Sequence, residues 1–159
     1  MRIGIFGSMD VPEQDGIEVV HLDIHNYDKC EHLFDQVIVG NALQELPRSK
    51  VMEFLGCVYN MIRDMGELVL YVPSAEWAAK QIFTNKPDNV TYYMLYGEDT
   101  KPFRACYSML ALRTQVERAG FITRSATESI LKIGSTDGGT FVMPVHSLVA
   151  VRNNSIGGK

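Results

Sequence analysis

Residues 34–47 place polar and acidic side chains directly after a segment that is typical of a buried strand. Val37, Ile38 and Val39 are β-branched and favour a strand that is buried on both faces, and Gly40-Asn41 then marks a turn. Ligands of open α/β sheets bind outside the carboxyl ends of the strands. The side chains at 41–45 would therefore contact a bound molecule, although an ordinary strand-to-helix connection has the same pattern.

The segments that follow can position this loop. Apolar residues recur on one helical face over residues 48–64, which predicts an amphipathic helix; they are Val51, Phe54, Leu55, Val58 and Ile62. Met65-Gly66 is expected to end this helix, and residues 67–73 are predicted to form a second strand. Ser74 can then cap a helix over residues 75–83.

This order of elements resembles the second half of class I S-adenosylmethionine-dependent methyltransferases. The likeness is greatest to small predicted methyltransferases that carry the motifs FDxVxxxHxLEHLP and RVLKPGGxLVLxVP. The corresponding segments here are Phe34-Asp35-Gln36-Val37, Asn41-Ala42-Leu43-Gln44-Glu45-Leu46-Pro47 and residues 61–73, MIRDMGELVLYVP. Asn41 replaces the first His, Gln44-Glu45 replaces Glu-His, and Asp64-Met65 replaces Pro-Gly.

The amino-terminal part departs further from the family. Residues 2–7 and 17–23 predict two strands, but only nine residues, Pro12 and Gly16 among them, lie between Gly7 and Ile17. A parallel crossover that includes a helix needs at least about 10–12 residues, so no helix is expected there.

In the resemblance, residues 17–24 match the third strand of the family. Residues 2–7 are then either the first strand with a remnant of the Gly-rich turn, or the second strand with its ribose acid at Asp10. We prefer the second assignment because the family spaces its ribose acid and third-strand acid as Asp10 and Asp23 are spaced here. The expected fold is an α/β Rossmann-like methyltransferase sheet, mostly parallel, with a C-terminal antiparallel hairpin and a truncated amino-terminal part.

The resemblance also implies a cofactor site for S-adenosylmethionine. Adenine would meet Asp23 and Ile24, ribose would meet Asp10, and Asn41, Ala42 and Leu43 would form the other wall. The family's Gly-rich motif is missing, which predicts weak binding or none. Glu45 stands where the family has His and is the candidate catalytic base, although a solvated Glu at a helix start would have the same pattern.

Two aromatic residues are candidates for substrate binding. Trp77 follows the carboxyl end of a predicted strand, where it would either line a substrate pocket or pack on the rim of the sheet. Residues 86–102 are predicted to be irregular, and in the resemblance they match the family's YGGQ insertion, which makes Tyr96 a substrate contact. The tyrosines of this segment could equally form a packed lid or an oligomer contact.

The carboxyl-terminal part predicts a helix and a hairpin. Ser108 can cap a helix that ends at Gly120. Residues 130–133 and 140–143 flank a turn sequence and should pair antiparallel, and residues 147–152 should form the last strand, in the interior of the sheet. A short helix is also predicted over residues 26–33, with Asn26 as its cap. We expect one domain over residues 1–152 and a flexible tail over 153–159.

The composition limits the classes of partner. A net charge of −4 argues against a broad nucleic-acid surface. No apolar run approaches the roughly 20 residues that cross a bilayer, and no signal peptide is present, so a cytoplasmic protein is expected. The three cysteines predict reduced thiols, and no metal site is expected from His21, His25 and His32.

Three functions are compatible with these observations. The chain could be a divergent methyltransferase that acts on a small molecule or a sugar. It could be a structural or interaction subunit, for example of a phage particle or another complex, that keeps the fold without catalysis. It could also be a ligand-binding domain that retains adenine recognition alone. Self-association through a strand edge is expected in each case.

Overall fold

The computed structural model describes residues 1–7, 9, 14–29, 32–134 and 139–153. The strands are β1 (Arg2–Gly7), β2 (Glu18–Leu22), β3 (Phe34–Gly40), β4 (Ile62–Pro73), β5 (Gly97–Glu98), β6 (Lys101–Pro102), β7 (Ile122–Gly134) and β8 (Thr140–Val151). The α-helices are α1 (Val51–Met61), α2 (Ala75–Phe83), α3 (Asn89–Tyr96) and α4 (Met109–Arg118). Three 3₁₀ turns cover Tyr27–Lys29, Leu43–Glu45 and Arg48–Lys50.

Six strands form one mixed sheet in the order β2-β1-β3-β4-β8-β7. The first four are parallel, and β8 runs antiparallel to both β4 and β7. The predicted fold class is confirmed, as are the pairing of β1 with β2 and the antiparallel pairing of residues 130–133 with 140–143. Residues 147–151 lie inside the sheet as predicted, but they continue the hairpin strand β8 and do not form a separate strand.

The strand order agrees with either assignment of β1. Removing either the first or the second strand from the family's sheet leaves the same order of neighbouring strands as in this structure. Asp10, which would distinguish the two assignments, lies outside the described residues, so the preference for the second assignment stays a prediction. Cys30, the hairpin turn at 135–138 and the tail at 154–159 also lie outside them.

The main core fills one face of the sheet. α1 and α4 pack there with apolar residues that alternate along the strands, and it includes Phe6, Val37, Phe54, Leu70, Leu112 and Leu148. The opposite face holds a smaller cluster around Ile3, Ile5, Ile38 and Val69. β1 and β3 thus contribute apolar side chains to both faces, as expected for central parallel strands. None of the helices in the described part of the chain is long and apolar enough to span a membrane.

The boundaries of α1 and β4 differ from the predicted ones. The helix begins at Val51 and ends at Met61, and Ile62, which was assigned to its apolar face, already belongs to β4. Residues 63–66 bulge out of the ladder, because Phe34 pairs with Ile62 while Gln36 pairs with Glu67. Met65-Gly66 therefore shapes this bulge and does not end the helix; Met65 has a φ of +62°.

Two further segments differ from their predicted structure. Residues 86–102 are not irregular, because they contain α3 and the β5–β6 hairpin. Asp88 caps α3 through a capping box with Thr91, which compensates for the modest helix propensity of its β-branched and aromatic residues. Of the helix predicted over residues 26–33, the described residues show only the 3₁₀ turn Tyr27–Lys29, in which Lys29 N–H donates to the carbonyl of Asn26; residues 30 and 31 lie outside the described ranges.

Candidate functional site

A cavity of about 470 Å³ lies at the carboxyl ends of β1, β2 and β3. It is lined by residues from the ends of these strands and from the β5–β6 segment, namely Gly7, Leu22, Asp23, Ile24, His25, Ala42, Glu45, Thr100, Lys101, Pro102 and Arg104. β2 and β3 lie on opposite sides of β1, so the strand order reverses here. Such switch points are where open α/β sheets bind ligands, and the volume falls within the roughly 300–1,000 Å³ of small-molecule sites.

Asp23 occupies the end of the cavity that follows β2. Its carboxylate accepts hydrogen bonds from the backbone N–H of His25, at 2.9 Å, and from the side-chain amide of Asn26. These two bonds hold the pKa of Asp23 below its usual range. The carboxylate is therefore ionised and fixed in orientation, and the neighbouring Ile24 is buried beside it.

Glu45 lies on the opposite wall, in the turn Leu43–Glu45. Its side chain is only 13% exposed, and its Oε2 atom is 3.5 Å from Nε2 of His25. A second groove of about 410 Å³ shares His25, Glu45 and Arg104 with the first cavity and continues along Tyr27, Lys50 and Glu53. The His25–Glu45 pair thus lines both cavities.

The loop after β3 contributes less to the cavity than predicted. Ala42 lines it, but Leu43 is fully buried in the main core. Asn41 has a left-handed φ of +53° and is also buried. Its Nδ2 donates to the hydroxyl of Tyr93 at 3.0 Å, and its Oδ1 accepts from the Gln44 side chain, so its amide links the loop to α3.

The structure does not bring the predicted substrate residues to the cavity. Trp77 packs with Met94, Met143 and Val145, between α2, α3 and β8, which agrees with the packing alternative. Tyr96 is 67% exposed at the end of α3, and its carbonyl accepts a hydrogen bond from Phe103. The aromatic residue of α3 that contacts the loop after β3 is Tyr93.

Sequence reasoning missed three basic residues of the cavity. His25 was considered only as a metal ligand, and Lys101 and Arg104 were not considered. The sequence feature that could have indicated them is the pair of cations, Lys101 and Arg104, that closely follows Gly97-Glu98-Asp99. No group of three or more His, Cys, Asp or Glu residues that could hold a metal ion occurs in the part of the chain that the structure describes.

Comparison with solved structures identifies the architecture. A SAM-dependent methyltransferase from Methanosarcina mazei matches 96% of this chain and 92% of its own chain, with a TM-score of 0.60 and 11% identity. The fold is that of SAM-dependent methyltransferases. A candidate methyltransferase from Bacillus halodurans C-125 matches over the same shares, with a TM-score of 0.59 and 15% identity.

Other similar structures are longer than this chain. The 1,6-didemethyltoxoflavin-N1-methyltransferase of Burkholderia thailandensis, determined with its substrate and S-adenosylhomocysteine, matches 87% of this chain with a TM-score of 0.53 and 11% identity. The chain spans 52% of that enzyme, and 58% and 42% of two further similar structures. No protein-family model matches the sequence, and no curated protein sequence matches it significantly.

Proposed function

We propose that this chain is a divergent methyltransferase that binds S-adenosylmethionine in the cavity at the ends of β1, β2 and β3. The observation that supports this most is the position of the cavity. It lies at the switch point of a methyltransferase fold, and Asp23, Ile24, Ala42 and Glu45 all line it. The methyl acceptor proposed is a small molecule or a sugar.

The residues present fit an adenosine-containing ligand. Asp23 offers an ionised carboxylate to an exocyclic amino group, and Ile24 and Leu22 offer apolar surface to a base. Asp10 stays the predicted ribose ligand, outside the described residues. When bound, the cofactor supplies an electrophilic methyl group on a sulfonium. The work of the protein is then mainly to hold the acceptor in line with that group and to exclude water.

Glu45 is proposed as the general base for an acceptor hydroxyl. Its carboxylate is largely shielded from solvent, which suits proton acceptance within a closed site. The neighbouring His25 side chain is 60% exposed and stands 3.5 Å away. His25 therefore lies between this carboxylate and solvent.

Calorimetry with S-adenosylmethionine and S-adenosylhomocysteine tests the proposal. Binding should be detected, and Asp23→Asn should weaken it at least tenfold while keeping an oxygen that can accept from the His25 N–H. Glu128→Gln, an exposed change in β7, should leave the affinity unchanged. A wild-type chain that gives no heat at millimolar ligand would contradict the proposal.

A second candidate is a non-catalytic structural or interaction subunit, and a specific observation favours it. If β1 is the family's first strand, only ten residues, 8–17, separate it from β2, which leaves little room for the Gly-rich turn and helix that hold the amino-acid portion of the cofactor in the family. Each hydrogen bond lost there would cost roughly 0.5–1.5 kcal/mol. Two or three such losses correspond to about one to three decades in affinity.

A further inference from the structure

The β5–β6 hairpin is held against the loop after β3 by backbone hydrogen bonds. The N–H groups of Arg104 and Ala105 both donate to the carbonyl of Gln44, at 2.7 and 3.2 Å, and Phe103 N–H donates to the carbonyl of Tyr96. The rings of Phe103 and Tyr93 pack edge to face, 5.3 Å apart. The hairpin therefore forms a fixed outer wall of the cavity.

This wall carries two cationic side chains that have no partner among the residues that the structure describes. Lys101 and Arg104 line the cavity, and neither side chain makes a hydrogen bond or an ion pair with any residue in the described ranges. Two carboxylates, Asp23 and Glu45, also line the cavity; Asp23 accepts from His25 and Asn26, and Glu45 faces His25. Lys101 and Arg104 are therefore the cations of this lining with which an anionic ligand group can pair.

The two ends of the cavity differ in chemistry. Asp23 and Ile24 follow β2, whereas Arg104 is tied to Gln44 in the turn after β3. β2 and β3 flank β1, so their ends are two strand spacings apart, roughly 10 Å. A ligand with a base at one end and an anion at the other would therefore match the distribution of groups.

We propose that Lys101 and Arg104 bind the carboxylate of the cofactor's amino-acid portion. This inference rests on the proposed function, because it assumes that the nucleoside occupies the Asp23 end. Guanidinium and ammonium groups bind carboxylate through charge-assisted hydrogen bonds, and they bind phosphate in the same way. The experiment must therefore separate these two anions.

Calorimetry with three ligands makes this separation at one pH and ionic strength. S-adenosylhomocysteine carries the carboxylate, 5′-methylthioadenosine lacks any anion, and adenosine monophosphate carries a phosphate. We expect S-adenosylhomocysteine to bind at least tenfold more tightly than 5′-methylthioadenosine. The double variant Lys101→Gln/Arg104→Gln should lose that advantage and should bind 5′-methylthioadenosine as the wild type does.

Lys132→Gln is the matched control, because this exposed lysine lies in β7, at the opposite edge of the sheet from β2. It should leave all three affinities unchanged, and thermal unfolding should show that every variant is folded. Equal wild-type affinities for S-adenosylhomocysteine and 5′-methylthioadenosine would overturn this inference but leave the proposed function standing. If the double variant weakened the binding of adenosine monophosphate alone, Lys101 and Arg104 would be a phosphate-binding site and this inference would be wrong. Failure of all three ligands to bind would instead contradict the proposed function.

Discussion

Gly7 and Gly40 lie opposite each other at the ends of β1 and β3, where the two backbones are too close to admit a side chain on Gly7. The strand register pairs these two residues. A Cβ atom on Gly7 would overlap the carbonyl oxygen of Gly40 and would lie 3.0 Å from Cβ of Ala42. Gly7 also has a φ of +92°, which residues with a Cβ atom disfavour. Gly7 also lines the cavity.

Gly7→Ala should therefore lower the free energy of unfolding by more than the cost of placing an alanine in the left-handed conformation. The left-handed conformation costs roughly 1–2 kcal/mol, and the overlap with Gly40 adds to that. Gly16→Ala isolates the conformational term, since Gly16 has a φ of +82° and no atom of the described residues lies within 4 Å of the added Cβ. Gly56→Ala, in α1, should instead stabilise by about 0.5–1 kcal/mol. Urea denaturation measures all three, and equal losses for the first two would show that no overlap exists.

Arg152 should contribute to stability through the end of α1. Its guanidinium donates to the carbonyl oxygens of Tyr59, at 2.9 Å, and Ile62, and lies 4.8 Å from the centre of the Tyr59 ring. Arg152→Met keeps the apolar stem and removes these bonds, so we expect a loss of about 1.5–3 kcal/mol. Arg118→Met, at an exposed site in α4, is the control and should change the unfolding free energy by less than about 0.5 kcal/mol.

Two buried tyrosines should make the protein sensitive to alkali. Burial raises the pKa of Tyr27 to about 12, assisted by its hydrogen bond to Glu53, and burial also raises the pKa of Tyr107 to about 12. The unfolded chain releases these protons near pH 10. The stabilising effect is therefore complete below about pH 10 and is lost as the pH rises towards 12. Absorbance titration should show that some tyrosines ionise only near pH 12. Tyr27→Phe should reduce the amplitude of that high-pH transition.

The hydroxyls of Tyr27 and Tyr107 should differ in their contribution to the free energy of unfolding at neutral pH. The Tyr27 hydroxyl donates to Oε1 of Glu53 at 2.9 Å, whereas the buried Tyr107 hydroxyl has no hydrogen-bond partner among the described residues. Tyr27→Phe should cost about 1 kcal/mol, and Tyr107→Phe should be neutral or stabilising. Chemical denaturation at pH 7 compares them directly. A larger loss for Tyr107→Phe would indicate that its hydroxyl has a partner.

Self-association is predicted through β2, which forms one edge of the sheet. Unpaired backbone groups on an edge strand can pair with a second copy of the chain, and an edge lysine opposes that pairing. His21→Lys, at an exposed position of β2, should therefore shift the chain towards monomer in light scattering. Thr127→Lys, exposed in the other edge strand β7, is the control. A wild-type monomer at high micromolar concentration would contradict the prediction.

The sequence alone determined those features that depend on neighbouring residues. Ser74 and Ser108 cap α2 and α4 as predicted, because a cap needs only a side-chain oxygen and a backbone N–H three residues ahead. The β3–α1–β4 succession and the β7–β8 hairpin followed from local periodicity and turn residues. The prediction that no helix fits between β1 and β2 also rested on chain length, but residues 8 and 10–13 of that link lie outside the described residues, so it stays a prediction.

Only the tertiary structure decided which of these residues face one another. Lys101 and Arg104 reach the cavity because Arg104 binds the backbone of Gln44, far away in sequence, and no local pattern encodes that contact. Asn41 is turned towards Tyr93 and Leu43 into the core for the same reason, since long-range packing determines which loop side chains are buried. Periodicity indicates which face of a helix or strand is apolar. Which residues contact that face depends on how the sheet brings distant segments together.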